Sequence, residues 1–186
     1  MKARHLAALL LGAAALGVRA QGLDISLSDD AVRAAYTSAV AASRLGNAQW
    51  NIGLIANDGD DALAHGGLEV VGDPAPGSGF TAAAGLRAYL GTAGDQDVLA
   101  LGLGGRLRYV FPAANRFAIQ AEAFYAPGIV SFLDSDGQSD FSIQGEYEIL
   151  RTAIVYLGYR RVRSELEAHR DVDVDKGGYF GLRLIF

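Results

Sequence analysis

The sequence predicts an all-β protein, an antiparallel β-barrel that crosses a membrane, and three observations support this. Apolar residues alternate with other residues in segments of about ten, which is the period of a strand. The face opposite the apolar one carries Gly, Ala, Arg and Glu, with few of the lysines that a water-facing surface normally shows. Aromatic residues lie at the segment ends, as in the interfacial girdles of membrane barrels.

Residues 1–20 have the features of a cleaved signal peptide. Two cations precede an apolar run over residues 6–18, and about 13 apolar residues are too few for the ~20 of a membrane-spanning helix. We expect cleavage before Gln21, with an uncleaved anchor as the alternative. Loss of three cations then changes the net charge from −5 to −8. Residues 21–186 form one domain.

Composition excludes several classes of protein. With 51% hydrophobic and 20% charged residues, the chain is not of the charge-rich disordered class. The absence of cysteine excludes disulfides, cysteine-ligated zinc and thiol nucleophiles. A pI near 5.1 argues against a nucleic-acid-binding surface. After residue 20 the chain has one lysine, Lys176, and twelve arginines, and arginine is the cation that tolerates burial in multiply hydrogen-bonded pairs.

Alternation and turn signals predict ten strands, at residues 22–28, 31–43, 48–57, 62–72, 79–90, 98–110, 116–126, 141–150, 153–163 and 177–186. The apolar phase changes around Ser28, so this point is either a tight turn or a bulge within one strand. If segments of the N-terminal third merge in pairs, the barrel has eight strands.

The strands from residue 79 onward show the alternation most clearly. Phe80 and Leu86 share one face of their strand, opposite Arg87. The same pattern continues along the chain. The apolar positions are Leu99, Leu101, Leu103 and Leu107, then Phe117, Ile119 and Ala121, then Phe141, Ile143 and Tyr147, and finally Phe180, Leu182 and Leu184. Gly102-Leu103-Gly104-Gly105 lies within a strand and opens no helix, so it predicts a bend or a close approach of side chains from opposite walls, not a phosphate-binding loop.

The charged residues opposite the apolar face predict a paired cluster in the barrel lumen. It comprises Arg87, Arg106, Arg108, Glu122, Glu146, Glu148, Arg160 and Arg183. These side chains either fill a narrow or closed barrel with a structural role in the envelope, or line a small-solute pore. A soluble periplasmic barrel, with its apolar face inward, is a further alternative.

If the chain ends on the periplasmic side, residues 111–115 and 151–152 become short periplasmic turns, and residues 127–140 and 164–176 become long outer loops. Aromatic residues then fall in two rows. Phe80, Phe111, Phe117 and Phe186 lie near one rim, and Tyr125, Phe141, Tyr159 and Phe180 near the other.

The last strand ends in an aromatic residue, as does the signal read by the outer-membrane barrel assembly machinery. The residues of this predicted signal are Tyr179, Phe180, Leu182, Leu184 and Phe186.

The chain resembles the YfaZ-type outer-membrane proteins of Gram-negative bacteria over its full length. The resemblance rests on the signal peptide, on Leu23-Asp24-Ile25-Ser26-Leu27-Ser28-Asp29-Asp30, and on Gly178-Tyr179-Phe180-Gly181-Leu182-Arg183. It implies an outer-membrane β-barrel in contact with membrane lipid and lipopolysaccharide, and it supplies no catalytic motif.

Candidate chemistry is sparse. His65 and His169 are far apart in sequence, no Ser-His-acid grouping is marked by a motif, and we expect neither a catalytic residue nor a cofactor. Because some outer-membrane barrels are enzymes acting on lipid or protein, that function remains an alternative.

A calcium site is the weaker of two interpretations of Asp171, Asp173 and Asp175. Alternate carboxylates can converge on one hard cation. However, Lys176 stands where an EF-hand loop has glycine, and Leu182 where it has the bidentate acid. The other interpretation is an acidic surface loop. Divalent cations could also bridge acidic outer loops to lipopolysaccharide.

Overall fold

The computed structural model describes residues 21–43, 46–133, 135–166 and 170–186. The predicted signal peptide lies outside these ranges and stays a prediction. The strands are β1 (Gln21–Ser28), β2 (Ala31–Ser43), β3 (Gly46–Asn57), β4 (Ala62–Gly72), β5 (Phe80–Ala93), β6 (Gln96–Val110), β7 (Phe117–Ala126), β8 (Ser131–Leu133), β9 (Ser135–Leu150), β10 (Ala153–Leu166) and β11 (Arg170–Ile185). Within the same ranges, no helix has the length and apolar character needed to cross a membrane.

Ten long strands close into one antiparallel barrel. Each pairs with the next, β7 pairs with β9, and β11 returns to β1, where Ile25 lies beside Leu182. The short β8 pairs with β6 beyond the end of β7, with Phe132 opposite Leu99. The predicted ten-strand barrel is confirmed, and the eight-strand alternative is excluded.

The phase change near residue 28 is a tight turn. β1 ends at Ser28 and β2 begins at Ala31, so two residues reverse the chain. The Ser28 hydroxyl oxygen accepts a hydrogen bond of 3.0 Å from the Ala31 backbone N–H, which stabilises the reversal. The two segments are therefore separate strands.

We name the two ends of the barrel by the connections they carry. The proximal end holds Phe186 and the connections at residues 73–79 and 111–116. The distal end holds the turns at residues 29–30 and 94–95.

The wall of the barrel turns its apolar face outward. Along β5, Leu86 and Leu90 are exposed while Arg87 and Tyr89 between them are buried. The other strands follow the same alternation. Exposed apolar side chains include Leu68, Leu103, Leu107, Ile119, Ile143, Leu157 and Phe180, whereas buried polar ones include Glu69, Gln120, Glu122, Asp140, Gln144, Glu146 and Arg160.

Aromatic side chains form a row on the outer surface near the proximal end. The ring centroids of Phe80 and Tyr109 are 4.5 Å apart, and those of Tyr109 and Phe111 are 5.1 Å apart. Phe117 and Tyr147 form a further pair at 4.8 Å. A second set of exposed rings lies toward the distal end. Its members are Tyr125, Phe132, Phe141, Tyr159 and Phe180.

The expectation of long loops over residues 127–140 and 164–176 is wrong. β9 begins at Ser135, β10 continues to Leu166, and β11 begins at Arg170. Strands therefore occupy most of the sequence that was expected to be irregular.

Cross-strand ion pairs explain this strand extension. On the outward side, Arg163 donates to Asp173 at 3.0 Å and to Asp171 at 2.8 Å. On the inward side, Val162 and Val174 are buried. The outward residues are charged where an apolar pattern would otherwise reveal a strand, so hydropathy alone predicts a loop.

Glycines in β6 allow the backbones of neighbouring strands to approach closely, whereas the sequence predicts a bend or a close approach of side chains from opposite walls. A Cβ atom at Gly104 would lie 2.6 Å from the Cα of Phe124, and one at Gly105 would collide with the backbone oxygen of Ala83. Both contacts are too short for a side chain, so the wall requires glycine at both positions.

Candidate functional site

The eight charged residues assigned to the lumen all point into the barrel. They are Arg87, Arg106, Arg108, Glu122, Glu146, Glu148, Arg160 and Arg183. Further inward-facing charges join them, and together with the eight we call the set the lumen charge network. The additional members are Asp24, Arg33, Glu69, Asp140 and Asp175.

Arg87 is the central node of the lumen charge network. Its guanidinium donates to Glu122 at 2.8 Å, to Asp140 at 3.0 Å and to Glu69 at 3.3 Å. It also lies 3.8 Å from the centre of the Phe124 ring. One arginine of β5 thereby connects β4, β7 and β9 through the interior.

Glu69 and Glu146 are acceptor nodes closer to the proximal end. Glu69 accepts hydrogen bonds from Asn51 at 2.9 Å, Gln49 at 3.1 Å and Arg106 at 3.2 Å. Several donors thus surround one buried carboxylate, which compensates for its removal from water.

The second node, Glu146, connects β6, β9 and β11. It accepts from Arg108 at 2.6 Å, from Arg183 at 2.8 Å and from Gln144 at 2.7 Å. Arg183 also donates to Asp24 at 3.0 Å, which extends the connection to β1.

Arg160 forms a separate buried pair toward the distal end. Its Nε donates to Asp175 at 2.5 Å and its Nη1 to Ser26 at 2.9 Å. The guanidinium carbon lies 4.6 Å from the centre of the Tyr179 ring. Arginine satisfies both contacts at once because its donors point in fixed, divergent directions.

An apolar cluster fills the distal part of the lumen; we call it the distal plug. Its members come from most of the strands and are buried together. They are Ala31, Ile55, Leu63, Tyr89, Ala93, Val98, Ala100, Phe124, Ala126, Val162, Leu166 and Val174. Side chains thus close the interior beyond the charged layer.

A cavity of about 430 Å³ occupies the proximal part of the lumen. Residues at the proximal strand ends line it, among them Val71, Thr81 and Ile185. Arginine exposure rises toward this end, from 3% of the side chain at Arg87 to 29% at Arg108. The cavity therefore opens at the proximal end.

His65 lies among the lumen residues and lines the cavity. Its ring occupies the space that a side chain at position 53 would need, and the residue there is Gly53. The Tyr89 ring centre is 6.3 Å away. His169, the other histidine considered, lies outside the described residues.

The three aspartates considered for calcium do not converge. A bulge at Val174 shifts the pairing of β11 with β10 by one residue, so Asp175 faces the lumen while Asp173 faces outward. Asp173 lies on the distal extension, by which we mean the distal ends of β10 and β11 over residues 161–166 and 170–174. Burial raises the pKa of Asp173, but hydrogen bonds from Arg163 and Arg161 keep that pKa below its usual value. Within the ranges that the structure describes, no group of three metal-ligating side chains is arranged to hold an ion.

The residues of the predicted assembly signal divide between the two faces of β11. Phe180, Leu182, Leu184 and Phe186 are exposed on the outer surface. Tyr179 points inward, where its hydroxyl donates to Gln144 at 2.6 Å.

Sequence reasoning did not assign four lumen residues: Asp24, Arg33, Asp140 and Asp175. Asp24 and Arg33 lie in the first hairpin, where the alternation is weak, and Asp140 and Asp175 lie in segments expected to be loops. The available signal was the arginine-rich, lysine-poor composition, which requires acidic partners inside.

Comparison with known proteins gives one match to a family. A family model described as "YfaZ precursor" matches residues 1–186, the whole chain. None of the curated proteins matches the sequence. A solved structure described as "Unveiling the Mechanism Behind the in-meso Crystallization of Membrane Proteins" is similar to this chain with a TM-score of 0.49 and 11% identity, over 90% of this chain and 82% of the other.

Proposed function

The chain belongs to the YfaZ precursor family, and we propose that it is an integral outer-membrane β-barrel, non-catalytic, with a closed lumen and a structural role in the envelope. The observation that carries this proposal is the polarity of the wall. Exposed leucines such as Leu86 and Leu103 face outward, and charges such as Arg87 and Glu122 are paired inside. A barrel that faces lipid requires this arrangement, whereas a water-soluble barrel requires the opposite one.

The two aromatic rows support a membrane position. They flank the exposed apolar surface, as interfacial girdles do. A strand of about ten residues tilted by ~45° rises about 23 Å, which fits the apolar band of an outer membrane. With the proximal end toward the periplasm, the charged extension of β10 and β11 lies at the height of lipopolysaccharide headgroups.

The side chains that fill the lumen favour a closed barrel over the small-solute pore that the sequence leaves as an alternative. Below the distal plug, Arg87 bonds to three carboxylates from different strands. A solute passing through would have to displace both this buried network and the apolar cluster, and both would cost several kcal/mol.

Two kinds of partner follow from this proposal. Lipid and lipopolysaccharide contact the outward face, with divalent cations bridging acidic distal turns to lipopolysaccharide phosphates. The barrel assembly machinery engages the last strand during biogenesis.

Conductance of the purified barrel in planar bilayers tests the closed lumen. A heat-dependent gel shift first establishes that the protein is folded. We expect this folded protein to show no stable unitary conductance. Replacing Leu63 and Leu166 of the distal plug with serine should leave the bilayer silent as well, because Arg87 still closes the layer beneath. Reproducible unitary conductance of the wild-type barrel would show a pore.

A further inference from the structure

We propose that the proximal cavity is a binding site, entered from the periplasm, for a small carboxylate- or phosphate-bearing molecule, and that Arg106 and Arg108 hold its anionic group. The proposal deepens the function proposed above and rests on the same orientation of the barrel.

Access to the cavity is one-sided. The distal plug closes one end, and the cavity lining reaches the proximal strand ends at Ile154 and Ile185. The side chains of Arg106 and Arg108 are 23% and 29% exposed, although both point into the lumen. These two guanidinium groups are therefore open to solute from the proximal end.

Arg106 and Arg108 keep hydrogen-bond donors that their carboxylate partners do not occupy. In the described part of the chain, Arg106 contacts one carboxylate, Glu69, and Arg108 contacts one carboxylate, Glu146. A guanidinium carries five N–H donors, so each arginine keeps several for a ligand.

The carboxylates that these arginines contact are already supplied with donors. Arg87, Asn51 and Gln49 also donate to Glu69, and Arg183 and Gln144 also donate to Glu146. An anion can therefore bind to the two arginines without leaving either buried carboxylate unpaired.

The mouth of the cavity is partly apolar. Val71 on β4 lies across the lumen from Ile154 on β10 and Ile185 on β11, since β4 and β10 are five places apart in the ring of ten strands. The cavity therefore has arginines deeper inside and apolar side chains at its mouth. A ligand with an anionic group and a short apolar part fits this arrangement, with its charge at Arg106 and its apolar part at the mouth.

Glu148 opposes such a ligand. It lies at the mouth, and the described side chains donate no hydrogen bond to it. Its negative charge repels an incoming anion. We therefore expect opposite effects on the affinity for an anion: removing Arg106 or Arg108 weakens binding, and removing the charge of Glu148 strengthens it.

The test is calorimetric titration of the folded full-length barrel in detergent micelles with sodium hexanoate and, separately, with inorganic phosphate. Hexanamide serves as the uncharged control ligand. Arg106→Gln and Arg108→Gln should each weaken anion binding about tenfold, as expected for loss of a charge-assisted contact, and Glu148→Gln should tighten it. Arg161→Gln, on the outer surface, is the matched control and should bind as the wild type does.

Hexanoate binding with phosphate inactive would assign an organic carboxylate, and the reverse would assign a phosphate group. Equal binding by the wild type and the arginine variants would overturn the proposal, as would no binding of either anion. A heat-dependent gel shift on the same samples keeps this test separate from the barrel proposal. Folded protein that binds nothing refutes the site alone, and protein without the shift refutes the membrane barrel.

Discussion

The guanidinium of Arg33 on β2 lies 3.8 Å from the carboxylate of Glu122 on β7, across the full width of the lumen. β2 and β7 are five places apart in a ring of ten strands, so this pair joins opposite walls. Arg33 also lies 4.0 Å from Asp140. Contacts of this kind make the charged layer of the lumen part of the structural core of the barrel, beside the apolar distal plug.

The central arginine should contribute strongly to stability. Arg87→Met removes a hydrogen-bonded buried cation from three carboxylates, Glu69, Glu122 and Asp140, so the free energy of unfolding should fall by about 3–5 kcal/mol. Urea unfolding in detergent micelles measures this. Arg161→Met, at a solvent-exposed pair, should change it by no more than about 1 kcal/mol. Similar losses for the two variants would contradict the central position of Arg87.

Glu146 and Glu148 provide a matched pair two residues apart on β9. Glu146 accepts from Arg108, Arg183 and Gln144, and its replacement by alanine should cost about 2–4 kcal/mol in urea unfolding. Glu148→Ala should cost less than about 0.5 kcal/mol, since the described side chains donate nothing to it. A conductance change with unaltered stability in Glu146→Ala would instead indicate a selectivity filter.

Barrel closure should depend on Gly104. A Cβ at this position would lie 2.6 Å from the Cα of Phe124, so Gly104→Ala should reduce the fraction that folds, read as the heat-modifiable band on a gel. At Gly145 the nearest atom to an added Cβ is 3.9 Å away, so Gly145→Ala should fold normally. Normal folding of both variants would show that the strands can separate to admit a side chain at position 104.

Trp50 reports directly on the face assignment. It is the single tryptophan of the chain, and it lies between the lumen residues Gln49 and Asn51, on the outward face of β3. After reconstitution, brominated lipid should quench its fluorescence strongly, while aqueous acrylamide should quench it weakly. The opposite order would place the outward face in water.

Strand positions were predictable wherever one face is continuously apolar. Leu99, Leu101 and Leu103 alternate with small or buried residues, and this pattern alone predicts the face that β6 turns outward. The same pattern predicts that Arg106 and Arg108 face the lumen. Successive side chains of a strand point to opposite faces, so residues out of phase with the outward leucines point inward.

The distal extension was not predictable for a physical reason. Arg161 and Arg163 occupy outward positions and are stabilised by Asp173, a partner on another strand that hydropathy does not reveal. The bulge at Val174, which separates Asp175 from Asp173, depends on packing between β10 and β11. Neither feature has a local signature in the sequence.

Fractionation of cells producing the full-length chain, followed by a gel of boiled and unboiled samples, tests the central claim most directly. An integral barrel with a lipid-facing apolar wall should be found in the outer-membrane fraction and should migrate differently before and after heating. Recovery as a soluble periplasmic protein without a heat-dependent shift would contradict the claim.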